Sequence, residues 1–309
     1  MTSSSSSTAD AARRTVADPL LGVVPGSGFA GLGAGPLPDR ETVLGLVERL
    51  HALLVPETLP GVDELAQRRA YIERETHDIE PLMASQVVLA LRFRDRLEAR
   101  DTTEPERLAS SYGVARSLIE ALPALRQHLL EDAWAAYRGD PSCRDPVEAL
   151  YAFPGVFAIT RHRFAHVLQA LGVPLLPRLV AEHAHRLTGI DIHPGATVGR
   201  EFFIDHGTGV VIGETAEIGD RVTLYQGVTL GAKSFQVDES GHLVKGRPRH
   251  PIVEDDVTIY ASATVLGRVR IGSGSVIGGN VWLTHGVPPG SRVYQAEPLE
   301  AGFEAGGGI

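Results

Sequence analysis

Aliphatic residues recur at every sixth position in the C-terminal half of the chain. The first run contains Ile192, Val198, Ile204, Ile212, Ile218, Leu224 and Leu230, and the second contains Val253, Ile259, Val265, Ile271, Ile277 and Leu283. One step inside the first run departs from this period, because eight positions separate Ile204 from Ile212. Neither the helical period near 3.6 nor the strand period near 2 explains such spacing. The period predicts a parallel β-solenoid of hexapeptide repeats, with three flat faces to a coil. Chance spacing in an ordinary sheet protein is the alternative.

The N-terminal half shows a different pattern, with apolar residues three and four positions apart. This spacing is typical of amphipathic helices. It begins near Asp39 and ends near Gly189, and Pro56, Pro60, Pro81 and Pro123 mark candidate boundaries or kinks. We therefore predict an α+β protein in four parts. They are a disordered tail over 1–37, a helical domain over 38–188, a solenoid over 189–297 and a flexible tail over 298–309.

The composition of the chain argues against several classes of protein, namely membrane-spanning, secreted and nucleic-acid-binding proteins. The 309 residues are 43% hydrophobic, but no run reaches the ~20 apolar residues of a membrane span. The first residues lack the apolar core of a secretory signal, and the single cysteine, Cys143, fits a reducing cytoplasm. The net charge of −9 argues against nucleic acid as a partner. We expect a cytoplasmic protein.

One polar segment, AKSFQVDESGHLVKGRPRH over 232–250, interrupts the solenoid repeats. It carries Lys233, Lys245, Arg247 and Arg249. A solenoid accepts an insertion only as a loop that projects from a corner. We expect this loop to be an anion-binding lid over a cleft between subunits, and a solvated basic excursion is the alternative.

His206 and Asp191 are the first candidates for chemistry. A coil of about eighteen residues places residues fifteen apart on adjacent coils. A carboxylate that binds one imidazole nitrogen makes the other nitrogen a better base, which suits proton removal from a hydroxyl. From the spacing alone, a second interpretation is equally favoured, in which the two polar residues only cap corners of the solenoid.

His193, followed by Pro194, suits a corner position as well as a catalytic role. Asp205 and Glu214 could hold a substrate ammonium group or could simply be solvated, and Arg249 could bind a carboxylate. Together these groups would suit an amino acid carrying a nucleophilic hydroxyl.

Several motifs give the chain a resemblance to a known family. They are DPS at 140–142, HRFAH at 162–166, GIDIHPGATVG at 189–199, FFIDHGTGVVIGET at 202–215, QGVTLG at 226–231 and RHP at 249–251. The sequence resembles the serine O-acetyltransferases, which move acetyl from acetyl-CoA to L-serine as cysteine biosynthesis begins. The resemblance runs from about Asp140 to Val293. It implies a left-handed β-helix, homotrimers with active sites between subunits, and often a dimer of trimers.

The resemblance also implies residue roles. His206 matches the general base and Asp191 its orienting partner. Asp140 and Asp205 match the carboxylates that hold the serine amino group, whereas Arg249 and His250 match the pair that holds its carboxylate. Glu214 matches an acidic position near the active site.

Acetyl-CoA is expected as co-substrate. Gly231, Ala232 and Lys233 stand where the family commonly has GGTGK after VTL. From pattern alone we expect the second repeat block to form the wall of the acetyl-CoA groove, with Ala261, Ala263 and Gly278 leaving room. The loop before RHP is longer than usual, and Phe157 replaces a family histidine.

The last residue, Ile309, follows a run of glycines. Many members of this family end in isoleucine, which enters the active site of cysteine synthase. The resemblance therefore implies cysteine synthase as a candidate partner.

Three rival functions remain open at this point. The acceptor could be homoserine or an amino sugar, although the Asp140, Asp205 and Arg249 set favours an α-amino acid. His193, His206 and His250 could instead form a zinc site like that of hexapeptide carbonic anhydrases. We expect no metal, because the Asp–His pairing suits organic substrates better. A non-enzymatic scaffold acting through Ile309 is the third rival.

Overall fold

A computed structural model describes residues 35–296, so the predicted C-terminal tail and most of the predicted N-terminal tail lie outside the described residues. Seven α-helices come first in this part of the chain. They are α1 Arg40–Leu54, α2 Leu65–Leu97, α3 Glu104–Glu120, α4 Leu122–Gly139, α5 Pro146–Ala152, α6 Pro154–Ala170 and α7 Leu176–Thr188. A 3-10 turn, Pro56–Thr58, follows α1.

Fourteen short strands follow the helices. They are β1 Asp191–Ile192, β2 Thr197–Val198, β3 Phe203–Ile204, β4 Val211–Ile212, β5 Glu217–Ile218, β6 Thr223–Leu224, β7 Thr229–Gly231, β8 Ile252–Val253, β9 Thr258–Ile259, β10 Thr264–Leu266, β11 Arg270–Ile271, β12 Val276–Ile277, β13 Trp282–Leu283 and β14 Arg292–Val293. All pair in parallel, in three sheets. Sheet A has the order β1-β4-β7-β10-β13, sheet B β11-β8-β5-β2, and sheet C β14-β12-β9-β6-β3. The chain visits A, B and C in turn, which makes a triangular prism, the left-handed parallel β-helix expected from the sequence.

The aliphatic residues that recur every six positions form the inward face of this prism. Twelve of these thirteen residues are buried and Val198 is half-buried, so the period marks the core directly. The same residues stack from coil to coil, as Ile192, Ile212 and Leu230 do in sheet A. Each prism edge is the turn between two sheets.

Helix α6 joins the two halves of the molecule. Its Ala158 and Ile159 belong to the prism core, while Phe203 of the first coil packs into the helical core. Of the prolines noted in the sequence, Pro56 is the first residue of the 3-10 turn and Pro123 is the second residue of α4. Pro81 does not end a helix, because it lies inside the 33 residues of α2.

Candidate active site

The eight-residue step in the repeat forms an enlarged turn between sheets C and A. After β3 the chain passes through Asp205–Gly209 before β4 begins, and three residues there have left-handed backbone angles: His206 (φ 57°), Gly207 (87°) and Gly209 (80°). The following coils cross the same edge with the ordinary six-residue step. The two additional residues carry His206 outward, and its side chain is 71% exposed.

Two carboxylates share this edge with His206, and we call the three residues the acidic edge. Asp205 places Oδ1 3.7 Å from His206 Nδ1, which is too long for a hydrogen bond. Asp140 lies at the end of α4, where its Oδ1 accepts hydrogen bonds from the Ser142 hydroxyl (2.7 Å) and backbone N–H (2.8 Å). These bonds, with a smaller contribution from the charge of His206, lower the pKa of Asp140. The edge therefore holds an exposed imidazole beside negative charge.

Two tyrosines continue the acidic edge along the prism. Tyr225 follows β6 and Tyr260 follows β9, the position that Asp205 occupies after β3. Their rings stack with centroids 4.9 Å apart and planes 13° from parallel. Burial, then the charges of Tyr260, Asp205 and Asp140, raises the pKa of Tyr225. Neither tyrosine is among the residues predicted from the sequence, although their shared repeat position is visible there.

The turns between sheets A and B form the second polar edge, which we call the arginine edge. It contains Glu214 and Thr215 after β4, and Arg249 and His250 before β8. Arg249 Nη2 donates to Glu214 Oε2 at 2.6 Å, so the predicted acidic residue Glu214 serves as the partner of the predicted carboxylate-binding arginine. Ion pairing of this kind orients a guanidinium.

His250 is buried on the arginine edge. Its Nδ1 accepts from the Thr215 backbone N–H at 3.0 Å and lies 2.9 Å from Thr215 Oγ1. Burial, followed by the charge of Arg249, lowers the pKa of His250 to about 4. The ring is therefore neutral at physiological pH. Thr215 was not singled out from the sequence, because its role depends on a segment 35 residues away.

Asp191 lies on sheet A, the face between the two edges. Ile190 and Ile192 are buried, so the alternation of the strand turns the Asp191 carboxylate outward. Its register partner is Val211, just beyond the enlarged turn. Within residues 35–296 the structure records no hydrogen bond between Asp191 and His206, and their pairing stays a prediction. His193 lies at the end of β1, and burial lowers its pKa.

The residues expected to contact acetyl-CoA have different surroundings. Ala261 is half-exposed beside Tyr260. Gly231 ends β7, and Ala232 and Lys233 begin the long loop. Ala263 is wholly buried in the prism core, so the expectation that it leaves room in the wall of the acetyl-CoA groove is wrong. It fills the small inward position four residues after Ile259. Gly278 is covered by Tyr294, whose Cδ1 would lie 2.8 Å from an added Cβ.

The loop over 232–249 folds back on itself as a small hairpin. Val237 and Leu243 form an antiparallel bridge, and both side chains are exposed together with Phe235. Lys233, Lys245 and Arg247 are exposed as well. The hairpin starts and ends at the arginine edge. Its role as a lid stays a prediction.

The three histidines considered as a zinc site lie on two different edges of one chain. His206 lies on the acidic edge, whereas His193 and His250 lie at turns between sheets A and B. Among the described residues there is no group of three or more His, Cys, Asp or Glu that could hold a metal ion. No helix in that same span is long and apolar enough to cross a membrane.

The chain is similar to known proteins over most of its length. The family described as bacterial transferase hexapeptide (six repeats) matches residues 250–285. A plasmid serine acetyltransferase of Synechococcus elongatus is 48% identical over 276 residues, covering 89% of this chain and 86% of that protein. A serine acetyltransferase of Mycobacterium tuberculosis is 49% identical over 179 residues, 55% of this chain and 74% of its own. The crystal structure of Entamoeba histolytica serine acetyltransferase 1 in complex with L-cysteine has a TM-score of 0.69 and 33% identity, covering 84% of this chain and 88% of that one.

The prism, its six-residue repeats and its polar edges define a hexapeptide-repeat transferase. The similarity to the Synechococcus protein extends through the helical domain as well as the prism. The chain belongs to the serine acetyltransferase family.

Proposed function

We propose that the chain transfers acetyl from acetyl-CoA to the hydroxyl of L-serine, giving O-acetylserine and CoA in the first step of cysteine biosynthesis. The observation that carries this proposal is the acidic edge, where an exposed imidazole stands beside the carboxylates of Asp140 and Asp205. A carboxylate pair attracts an ammonium group, and a neighbouring imidazole can take a proton from a hydroxyl. An α-amino acid with a short hydroxyl side chain offers both groups.

The carboxylate of such an acceptor requires the other edge. Arg249 and His250 supply donors, with Arg249 fixed by Glu214. The whole of sheet A separates this edge from the acidic edge in one chain, whereas one carbon joins the ammonium and carboxylate of serine. We therefore propose that a second copy brings its arginine edge to the acidic edge of the first. A homotrimer, or a dimer of trimers, closes such a ring of identical contacts.

The reaction is a direct transfer between two bound substrates. His206 takes the proton of the serine hydroxyl as its oxygen attacks the thioester carbonyl and forms the new C–O bond. The C–S bond then breaks, and the departing thiolate takes a proton and leaves as CoA. Asp191 is the proposed orienting carboxylate for His206, because it projects from sheet A close to the enlarged turn. Cys143 is buried in the helical core and takes no part.

Acetyl-CoA is proposed to lie along the acidic edge, next to the stacked Tyr225 and Tyr260. Ala261 adjoins this pair and offers a small side chain where a slender pantetheine arm would pass. Gly231, Ala232 and Lys233 lead into the long loop, whose exposed cations suit the phosphates of the donor. Gly278 follows β12 on the same edge, where Tyr294 packs against it.

Release of free thiol from acetyl-CoA tests the activity. L-Serine should support faster release than L-homoserine or an amino sugar, and equal rates with homoserine would contradict the proposed acceptor. His206→Asn should lower kcat by roughly two to four orders of magnitude, as loss of a general base does. His77→Asn is the matched control, because His77 is an exposed histidine on α2 far along the chain from the site. Near-normal turnover in His206→Asn would remove the proposed base.

Three further assignments belong to the same proposal. L-Cysteine should compete with L-serine, since it shares the same ammonium and carboxylate, and the Entamoeba enzyme has been crystallised in complex with L-cysteine. We propose that the reaction takes place in the cytoplasm, in line with the single cysteine of the chain. Ile309 lies outside the described residues and is proposed to bind cysteine synthase through its side chain and carboxylate. Equal capture of cysteine synthase by the chain with and without Ile309 would refute that partnership.

A further inference from the structure

The contacts of His250 fix which of its ring nitrogens carries the proton. The backbone N–H of Thr215 points at His250 Nδ1 at a distance of 3.0 Å. A backbone N–H can only donate, so Nδ1 must accept and therefore carries no proton. In a neutral imidazole the proton then resides on Nε2. The sequence motif IGET thus determines the tautomer of a histidine that follows it by 35 residues.

The Thr215 hydroxyl reinforces this arrangement. Its oxygen accepts from the backbone N–H of Arg249 at 2.9 Å and from that of His250 at 3.2 Å. With both of those contacts directed at its lone pairs, the hydroxyl hydrogen is left to point at His250 Nδ1, 2.9 Å away. Arg268 Nη1 links the same two residues by donating hydrogen bonds to the backbone carbonyls of Thr215 (2.8 Å) and His250 (3.2 Å).

The other side of the ring is fixed by a close approach to the backbone. A Cβ added to Gly213 would overlap Cδ2 and Nε2 of His250, so the ring lies directly against that glycine. The charged and titratable groups around His250 are Arg249, Glu214, His193 and Arg268. Glu214 is the only carboxylate among them, and it is bound to Arg249. Burial and the neighbouring arginines both oppose a second proton on the ring.

We propose that Thr215 is a positioning residue, which holds His250 as the Nε2–H tautomer so that this imidazole donates a hydrogen bond to the carboxylate of the acceptor. The two histidines of the site then have separate duties. His206 is the exposed base, whereas His250 is a fixed donor that cannot act as a base through Nδ1. This inference rests on the proposed function only for the identity of the acceptor, because the tautomer follows from the geometry alone.

Nitrogen-15 NMR of the histidine-labelled full chain tests the tautomer without any measurement of activity. Signals of His250 are assigned by their absence in His250→Gln. At pH 7 we expect a protonated Nε2 and an unprotonated Nδ1, and no protonation between pH 7 and 5.5. A protonated Nδ1, or a titration midpoint near 6.5, would overturn the inference even if the enzyme is fully active.

Two substitutions at Thr215 test the positioning role. Thr215→Val keeps the shape and the backbone N–H but removes the hydroxyl, whereas Thr215→Ser keeps the hydroxyl. The valine variant should raise the KM for L-serine about tenfold, the usual effect of one lost hydrogen bond to a charged group. Its KM for acetyl-CoA and its kcat should stay near wild type, and its His250 should remain the Nε2–H tautomer, because the backbone N–H of residue 215 is retained.

Thr215→Ser should restore the KM, because serine supplies the hydroxyl again. Circular dichroism and the melting temperature establish that both variants fold. Identical kinetics in the valine and serine variants would refute the positioning role of the hydroxyl. A fall in kcat at unchanged KM would refute the assignment of the acceptor carboxylate. Absence of serine acetylation in the wild type would refute the proposed function instead, while leaving the NMR result to decide the tautomer.

Discussion

The guanidinium of Arg163 and the carboxylate of Asp132 form a two-pronged ion pair inside the contact between the helices and the first coil. Arg163 Nε donates to Oδ2 at 2.9 Å and Nη2 to Oδ1 at 3.0 Å, and the side chains are 8% and 1% exposed. Arg163 also donates to the carbonyls of Val198 and Gly199, and Asp132 accepts from the Phe202 N–H at 2.9 Å. Every charge in this contact is hydrogen-bonded. The pair thereby holds the turn that leads into β3 and the acidic edge.

Removal of one partner from this pair should strongly destabilise the fold. Asp132→Ala leaves a buried guanidinium without its counter-charge, which costs about 3–5 kcal/mol in the free energy of unfolding. Glu182→Ala is the control, because it breaks the exposed Arg178–Glu182 pair (2.6 Å) on α7 and should cost about 0–1 kcal/mol. Urea unfolding measures both. Equal losses in the two variants would show that the buried pair is not the connection described.

Gly213 should not tolerate a side chain. Alanine there must displace the His250 ring, and a misplacement of about 1 Å in a binding group can lower activity on the order of 100-fold. Gly45→Ala is the matched control, because Gly45 lies in α1 with open space around its Cα and alanine favours helices. Thiol-release kinetics and melting temperatures of both variants check this. A fully active Gly213→Ala enzyme would contradict the packing of His250.

Substitution of Tyr260 should weaken the binding of the donor, acetyl-CoA, without changing the binding of the acceptor, L-serine. Tyr260→Ala removes one ring of the stack with Tyr225, an interaction worth about 0.5–1.5 kcal/mol, so the KM for acetyl-CoA should rise about three- to tenfold. The KM for L-serine should not change. Tyr151→Ala removes an 88% exposed tyrosine of α5 and should alter neither constant. A larger effect of Tyr260→Ala on L-serine would place the donor elsewhere.

Acid should destabilise the protein through histidines that are buried and neutral in the folded state. Burial, helped by Arg161, lowers the pKa of His51 to about 4, and burial and Arg249 do the same for His250. In the unfolded chain both titrate near 6.5, so the unfolded state takes up protons first as pH falls. The melting temperature should fall steadily from pH 6.5 to 5, and His51→Gln should reduce this slope. A melting temperature independent of pH in that range would contradict neutral buried histidines.

The sequence could predict the prism because every coil repeats the same physical problem. Each side of a coil has six residues with one inward aliphatic residue, so the aliphatic residues recur every six positions in the sequence. Leu224, Ile259 and Ile277 stack as this period predicts. The helices are equally local, since their apolar spacing reflects one buried face. The single eight-residue step was visible as well. Its consequence, an exposed His206 in a left-handed turn, needed coordinates.

The site itself could be predicted only in part. Which edge each polar residue occupies follows from its place in the coil, but the contacts of Glu214 and Thr215 depend on a loop that returns after 35 residues. Ala263 was expected in the wall of the acetyl-CoA groove, although its position in the repeat directs its side chain into the prism core. Tyr225 and Tyr260 escaped notice because each is unremarkable until register places one ring over the other.

Complementation between two inactive variants tests the central claim, that each site joins the acidic edge of one copy to the arginine edge of another. His206→Ala and Arg249→Ala chains carrying different tags are co-expressed, and mixed oligomers are isolated by both tags. Every mixed trimer should contain one intact site in three, so about a third of wild-type turnover should return. Mixed oligomers no more active than the separate variants would show that both edges of a site belong to one chain.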